Sequence, residues 1–115
     1  MLLLCARFRD KTHASKLERK FLLLWESFRG PALEREYRFH SERKWRADFA
    51  HVGSRTIVEI EGGIYVQGRH TRPAGFIKDA EKHFHAWLLG WSVIRLTAPQ
   101  ITTENVGRII VRISS

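Results

Sequence analysis

The run Thr56-Ile-Val-Glu-Ile-Glu61, closed by Gly62-Gly63, constrains this chain more than any other stretch. Its β-branched residues alternate strictly, which fits a pleated strand with Ile57, Glu59 and Glu61 on one face and Thr56, Val58 and Ile60 on the other. The segments before it read the same way: Glu36-Tyr-Arg-Phe-His40 and Trp45-Arg-Ala-Asp-Phe-Ala50 alternate around a polar turn at 41–44, and His51-Val-Gly-Ser-Arg55 is a second turn. A three-stranded meander follows.

Helical spacing brackets the meander. Leu17, Phe21, Leu24, Trp25 and Phe28 form an amphipathic stripe over 15–29 that Gly30-Pro31 stops. A second helix is expected from about Gly75 to Leu89, with Phe76, Ala80, Phe84, Trp87 and Leu88 inward and Gly90 as its cap. Trp91-Ser-Val-Ile-Arg-Leu96 then forms a fourth strand, parallel to its neighbour because a helix intervenes. Past Pro99, Thr102 or Thr103 caps a last helix with Val106, Ile109, Ile110 and Ile113 inward. The expected architecture is α/β, in the order α-β-β-β-α-β-α, with a central mixed sheet flanked by helices. At 115 residues the chain suits one domain, with 1–14 as a leading segment, 15–97 as the core and 98–115 as the C-terminal helix. The leading segment is too short an apolar run to span a membrane, and reads as a short strand or a loose tail. Cys5 is the only cysteine, which excludes a disulfide framework and a multi-cysteine zinc module and fits a reducing interior.

Charge points to a polyanion. Twenty Lys and Arg against twelve Asp and Glu give a net charge of +8, and residues 1–46 hold twelve of the bases against six acids. Arg35, Arg38, Arg43, Lys44 and Arg46 interleave with Tyr37, Phe39 and Trp45, so alternate positions would turn bases outward to phosphates, with Arg69 and Arg72 adding to them from the glycine-rich loop after Glu61.

The chemistry lies in the acids. Asp48 interrupts a strand, where aspartate is a poor β-former and an unpaired carboxylate is costly. Glu59 follows eleven residues later on the adjoining strand, and Glu61 points the same way. Three carboxylates converging near one sheet end call for a cation, and hard oxygen ligands suit Mg²⁺ or Mn²⁺. The alternative is a solvated sheet face on which these acids pair with Arg46 or Arg55.

An α-β-β-β-α-β order with Asp48 on the second strand and Glu59-x-Glu61 on the third resembles the PD-(D/E)XK nucleases, the restriction-endonuclease-like fold. Arg35-Glu-Tyr-Arg-Phe-His40, Trp45-Arg-Ala-Asp-Phe-Ala50, Ile57-Val-Glu-Ile-Glu-Gly-Gly63, Asp79-Ala-Glu-Lys82 and Gly90-Trp-Ser-Val-Ile-Arg95 are similar to segments of small bacterial and phage proteins of the very-short-patch-repair type. The resemblance covers about residues 15–97 and implies metal-dependent hydrolysis of DNA. It makes Asp48 the bridging metal ligand and Glu59 the second, and puts Glu61 where many relatives carry the motif lysine. There Glu61 could act as general base or hold a second metal. The resemblance also gives Glu18, on the first helix, a place in the cation's outer shell, with Glu26 as a competing candidate. His70 would match a histidine that assists the chemistry in the repair-type relatives. Lys82, Arg69 and His70 are the candidates for positive charge at the site.

Together these readings lead to the expectation of a Mg²⁺-dependent endodeoxyribonuclease, with Mn²⁺ substituting, that nicks, repairs or selects DNA by its structure. Its partner is DNA rather than a membrane, a homodimer would allow paired cuts, and its setting is the cytoplasm of a bacterial or phage-infected cell. A noncatalytic nucleic-acid-binding module, with Glu61 marking the lost lysine, is the alternative. If Glu18, Asp48, Glu59 and Glu61 are reserved for cations, the rest of the surface is more basic than +8 suggests.

Overall fold

The computed structural model describes residues 15–62 and 73–115. His70, Arg69 and Arg72, together with Cys5 and the leading segment, lie outside the described residues. Ser15 opens helix α1 (Lys16–Ser27), its hydroxyl accepting from the Glu18 N–H at 3.1 Å. At the other end the Arg29 and Gly30 N–H groups return to the carbonyls of Glu26 and Trp25, a Schellman closure. The left-handed residue of that closure is Arg29, at φ 53°.

The chain then builds β1 (Glu34–Tyr37), β2 (Ala47–His51) and β3 (Thr56–Glu61), crosses through α2 (Pro73–Leu88) to β4 (Ser92–Thr97), and ends in a 3₁₀ turn (Ala98–Gln100) and α3 (Thr103–Ser114). The fold is α/β, and the sheet order is β1-β2-β3-β4, antiparallel except for the parallel β3–β4 pair. The observed order departs from the expected one by the 3₁₀ turn. There Pro99 lies in the first turn and the Gln100 side-chain oxygen accepts from the Thr97 N–H at 3.0 Å. Thr102, rather than Thr103, caps α3.

β3 keeps its expected limits, but β1 begins two residues and ends three residues earlier than the alternation suggested. Glu36 takes a left-handed backbone, φ 50°, and Nδ1 of His40 accepts from the N–H groups of Glu42 and Arg43, turning the chain out of the sheet early. The kink switches the faces. Arg35, opposite Phe49, turns toward α1, whereas Tyr37, opposite Ala47, packs on Trp91 at the other face.

Two cores result. Phe21, Leu22, Trp25, Leu33, Phe49, Val58, Leu96, Ile101 and Val106 bind α1 and α3 to one face, with Ile109, Ile110 and Ile113 packed against them. Ala47, Ala50, Ile57, Ala86 and Trp91 form a smaller core under α2. Here the pattern misled. Phe76, Ala80, Phe84, Trp87 and Leu88 are exposed, and α2 turns Asp79, Lys82, His83 and Ala86 away from the most exposed positions instead. Gly90, at φ 89°, closes α2 as expected, its N–H bonded to Trp87 and the next N–H to Ala86. Among the described residues no helix is long and apolar enough to cross a membrane.

The two Schellman ends differ in one residue, glycine at 90 and arginine at 29. Replacing Arg29 with Gly removes a left-handed L-residue and should raise stability by about 0.5–1 kcal/mol in urea unfolding.

Candidate functional site

β2 and β3 are laddered from His51–Thr56 to Phe49–Val58. One step further, side chains take over from the backbone. The Asp48 N–H donates to Glu59 Oε2 at 3.1 Å, and Asp48 Oδ2 accepts from the Ile60 N–H at 2.8 Å. Each carboxylate thus satisfies a main-chain donor of the opposite strand. This solves the problem posed by aspartate in a strand, because Asp48 replaces a ladder acceptor.

Glu59 is 7% exposed, and a carboxylate so enclosed needs cationic or hydrogen-bonding partners. α2 delivers them. Lys82 Nζ lies 3.0 Å from Glu59 Oε1 and also donates to the Arg46 carbonyl at 2.8 Å, while His83 Nε2 stands 3.5 Å from the same Oε1. Asp79, Lys82, His83 and Ala86 recur at helical spacing, so this face could be seen in the sequence as a polar stripe beside an apolar one. The need of a buried Glu59 for cations decides which stripe faces in. It also pairs Lys82 with Glu59 and not with Asp79.

The two acids titrate in opposite directions. Burial pushes the Asp48 carboxyl up from 3.8 to about 7; the Ile60 N–H and Lys82 pull it down, and the charges of Glu59 and Glu18 push it up. Burial would raise Glu59 as well, but His83, Lys82 and the Asp48 N–H outweigh it and hold Glu59 below its ordinary value. Of this pair, Asp48 is the less compensated charge.

The remaining candidates separate. Glu18 binds Nη2 of Arg35 at 3.0 Å, and its charge still reaches Asp48. Arg35 is 7% exposed on its side chain and lies over the Phe49 ring, so it is no outward phosphate contact; the kink at Glu36 has turned it to the α1 layer. Glu61 is taken by Arg95 on β4, whose Nη2 and Nε lie 2.9 and 3.1 Å from one oxygen; Nη2 also lies 3.9 Å from Asp79. Arg38, Arg43, Lys44 and Arg46 are exposed on the segment between β1 and β2. Arg43 stacks on Trp45 at 3.9 Å and reaches Glu81 at 3.0 Å, and Arg46 stands 3.8 Å from Glu36. The Lys82–Arg46 bond places this basic segment beside the acid pair. His83 and Arg95 are contributors that strand and helix periodicity did not single out, since their roles depend on which helix face turns inward and on the parallel register of Glu59 with Arg95.

The donor set suits Mg²⁺ only in part. Asp48 and Glu59 supply two oxygen side chains, the number Mg²⁺ commonly takes from protein when water and phosphate complete its shell. Among the described residues no third carboxylate, histidine or cysteine converges to make a closed ligand group, and Glu61 is turned toward Arg95.

Compared with known protein families, curated proteins and solved structures, the chain finds no match in any of the three.

Two consequences can be measured. A carboxyl raised in the fold contributes stability that is complete below the unfolded value, near 3.8, and lost as pH rises through about 7. The loss is on the order of 4 kcal/mol. Asp48→Asn, which keeps an acceptor for Ile60, should therefore be more stable than wild type at pH 8 in EDTA and no more stable at pH 4, read by urea unfolding. Lys82→Met strands a buried carboxylate and should cost about 3 kcal/mol. Adding Glu59→Gln should recover part of that loss in thermal unfolding.

Proposed function

We propose that this chain is a metal-dependent DNA endonuclease of restriction-endonuclease-like fold, hydrolysing a phosphodiester beside Asp48, Glu59 and Lys82. The observation that carries the reading is that constellation: two carboxylates locked to backbone donors at the parting of β2 and β3, with an ammonium group 3.0 Å away on a helix. Such a locked geometry favours catalysis, because groups that need not reorganise stabilise developing charge best.

Asp48 and Glu59 would hold Mg²⁺, which would supply positive charge to the scissile phosphate. Lys82 stands where the cationic task of the motif lysine can be met from α2, although Glu61 occupies that lysine's place in the chain. In the reaction a water oxygen bonds to phosphorus, one P–O ester bond breaks, and the leaving oxygen takes up a proton. Lys82 can offset the added charge on the phosphate, and Glu59 fixes its ammonium group. Arg38, Arg43, Lys44 and Arg46 would hold the flanking phosphates, a sequence-independent contact that weakens with salt. Glu61, held by Arg95, braces β3 against β4 and takes no part in the chemistry.

A second reading is a nucleic-acid-binding module without cleavage. It is favoured by the pairing of both Glu59 oxygens and by the lack of a third converging ligand among the described residues.

Cleavage of supercoiled, nicked, mismatched and branched DNA with Mg²⁺ or Mn²⁺, at a temperature where every variant is folded, separates the two. The nuclease reading expects activity abolished by EDTA, lowered at least about 100-fold by Asp48→Ala, Glu59→Ala or Lys82→Ala, and changed less than about tenfold by Glu61→Gln. DNA binding should survive Asp48→Ala. Wild type that binds all these DNAs and cuts none establishes the binding module.

A further inference from the structure

α2 is amphipathic the wrong way round for a helix lying on a sheet. Ala86 is its one buried residue, and polar contacts do the rest of the inward anchoring. Outward it carries Phe76, Ile77, Ala80, Phe84, Trp87 and Leu88, which at 100° per residue fall in an arc of about 120°. All six are exposed, Trp87 by 70% and Phe76 by 66%. No charged residue interrupts the arc, which runs about 20 Å along the helix. The bare area is on the order of 600 Å², the upper end of what a monomer leaves exposed in one patch.

We propose that this face is a self-association surface, on which α2 of a second copy packs antiparallel across a two-fold axis. Three observations favour a second copy as the occupant. Two such faces together bury on the order of 1,200 Å², which reaches the size of a specific interface without help from other elements. Their residues are also self-complementary. Antiparallel pairing about the middle of the arc sets Ala80 against the partner's Phe84, a small residue against a large one, and Phe76 and Ile77 against the partner's Leu88 and Trp87. Third, a chain of net charge +8 repels its own copies, and this uncharged arc lets two of them meet with Lys78, Glu81 and His85 kept outside it. Association would also give α2 the apolar burial that the sheet does not provide. Since Lys82 and His83 sit on the inner side of the same helix, the interface would steady the groups that neutralise Glu59.

Sedimentation velocity on the full chain from about 1 to 200 µM tests this without DNA, so its failure would leave the nuclease reading untouched. Wild type should sediment as a dimer. Trp87→Lys should raise the dissociation constant about 30-fold or more with the far-ultraviolet circular dichroism unchanged. Ala80→Trp adds apolar area at an exposed position, so general stickiness would strengthen association; the close helix approach predicts that it weakens it by at least about tenfold. Leu23→Glu, at an exposed leucine on α1, should leave the dimer intact. A wild type that stays monomeric throughout, or a monomer that instead pellets with anionic phospholipid vesicles, overturns the proposal. So does a dimer that Trp87→Lys and Ala80→Trp leave unchanged.

Discussion

The enclosed carboxylate of Glu59 sets much of the rest of this structure. A buried acid needs hydrogen bonds and positive charge, and no backbone ladder supplies the charge. Glu59 obtains one bond from the Asp48 N–H and its charge from Lys82, with His83 beside it. Meeting that need fixes the rotation of α2 about its own axis. Once Lys82 and His83 face the sheet, helical geometry sends Phe84 and Trp87 outward, whatever their hydrophobicity. The cost of stranding Glu59 is several kcal/mol, comparable to the gain from burying two large side chains, so electrostatics can override the apolar pattern.

The same rule organises the other acids. Glu18 is matched by Arg35 and Glu61 by Arg95, each across elements distant in the chain. Reserving all four acids for bound cations overstated the free basic surface, because Arg35, Lys82 and Arg95 are themselves spent on them. The exposed basic segment next to the acid pair is short, from Arg38 to Arg46, joined to it by the Lys82–Arg46 bond, and within it Arg43 and Arg46 already stand near Glu81 and Glu36.

How much was legible from residues alone follows from which physics was local. β3 was readable to its limits because β-branched alternation is a local property of the backbone. The start of α1, the cap at Thr102 and the left-handed Gly90 were readable for the same reason, since each depends on residues within one turn. β1 shifted because His40 accepts two backbone donors and Glu36 adopts a left-handed conformation, and neither shows as a pattern. Arg35 shifted with it, from an outward base to the partner of Glu18. The pairing of Asp48 with Glu59 could be anticipated from strand adjacency. Which helix face answers a buried acid could not, because a hydrophobic stripe and a polar stripe compete and the outcome depends on Glu59, 23 residues before Lys82 in the chain. His70, Arg69 and Arg72 lie outside the described residues.

Asp48 is where these compensations run out. Glu18, Glu59 and Glu61 each have a cationic side chain within 3.0 Å, whereas Asp48 has one backbone donor, the weaker pull of Lys82 and the repulsion of two neighbouring acids. Burial above all, and then that repulsion, push its carboxyl up to about 7. Under the proposed reading a cation would gain most at Asp48, whose carboxylate has the Ile60 N–H and the more distant charge of Lys82 but no ion pair of its own. Glu59 is already bound and contributes geometry more than unmet charge. On the proposed reading, a site built from one acid without an ion pair, one paired acid and a fixed ammonium group would admit positive charge at one edge while presenting it from the other. A phosphate between two such edges would meet positive charge on both sides.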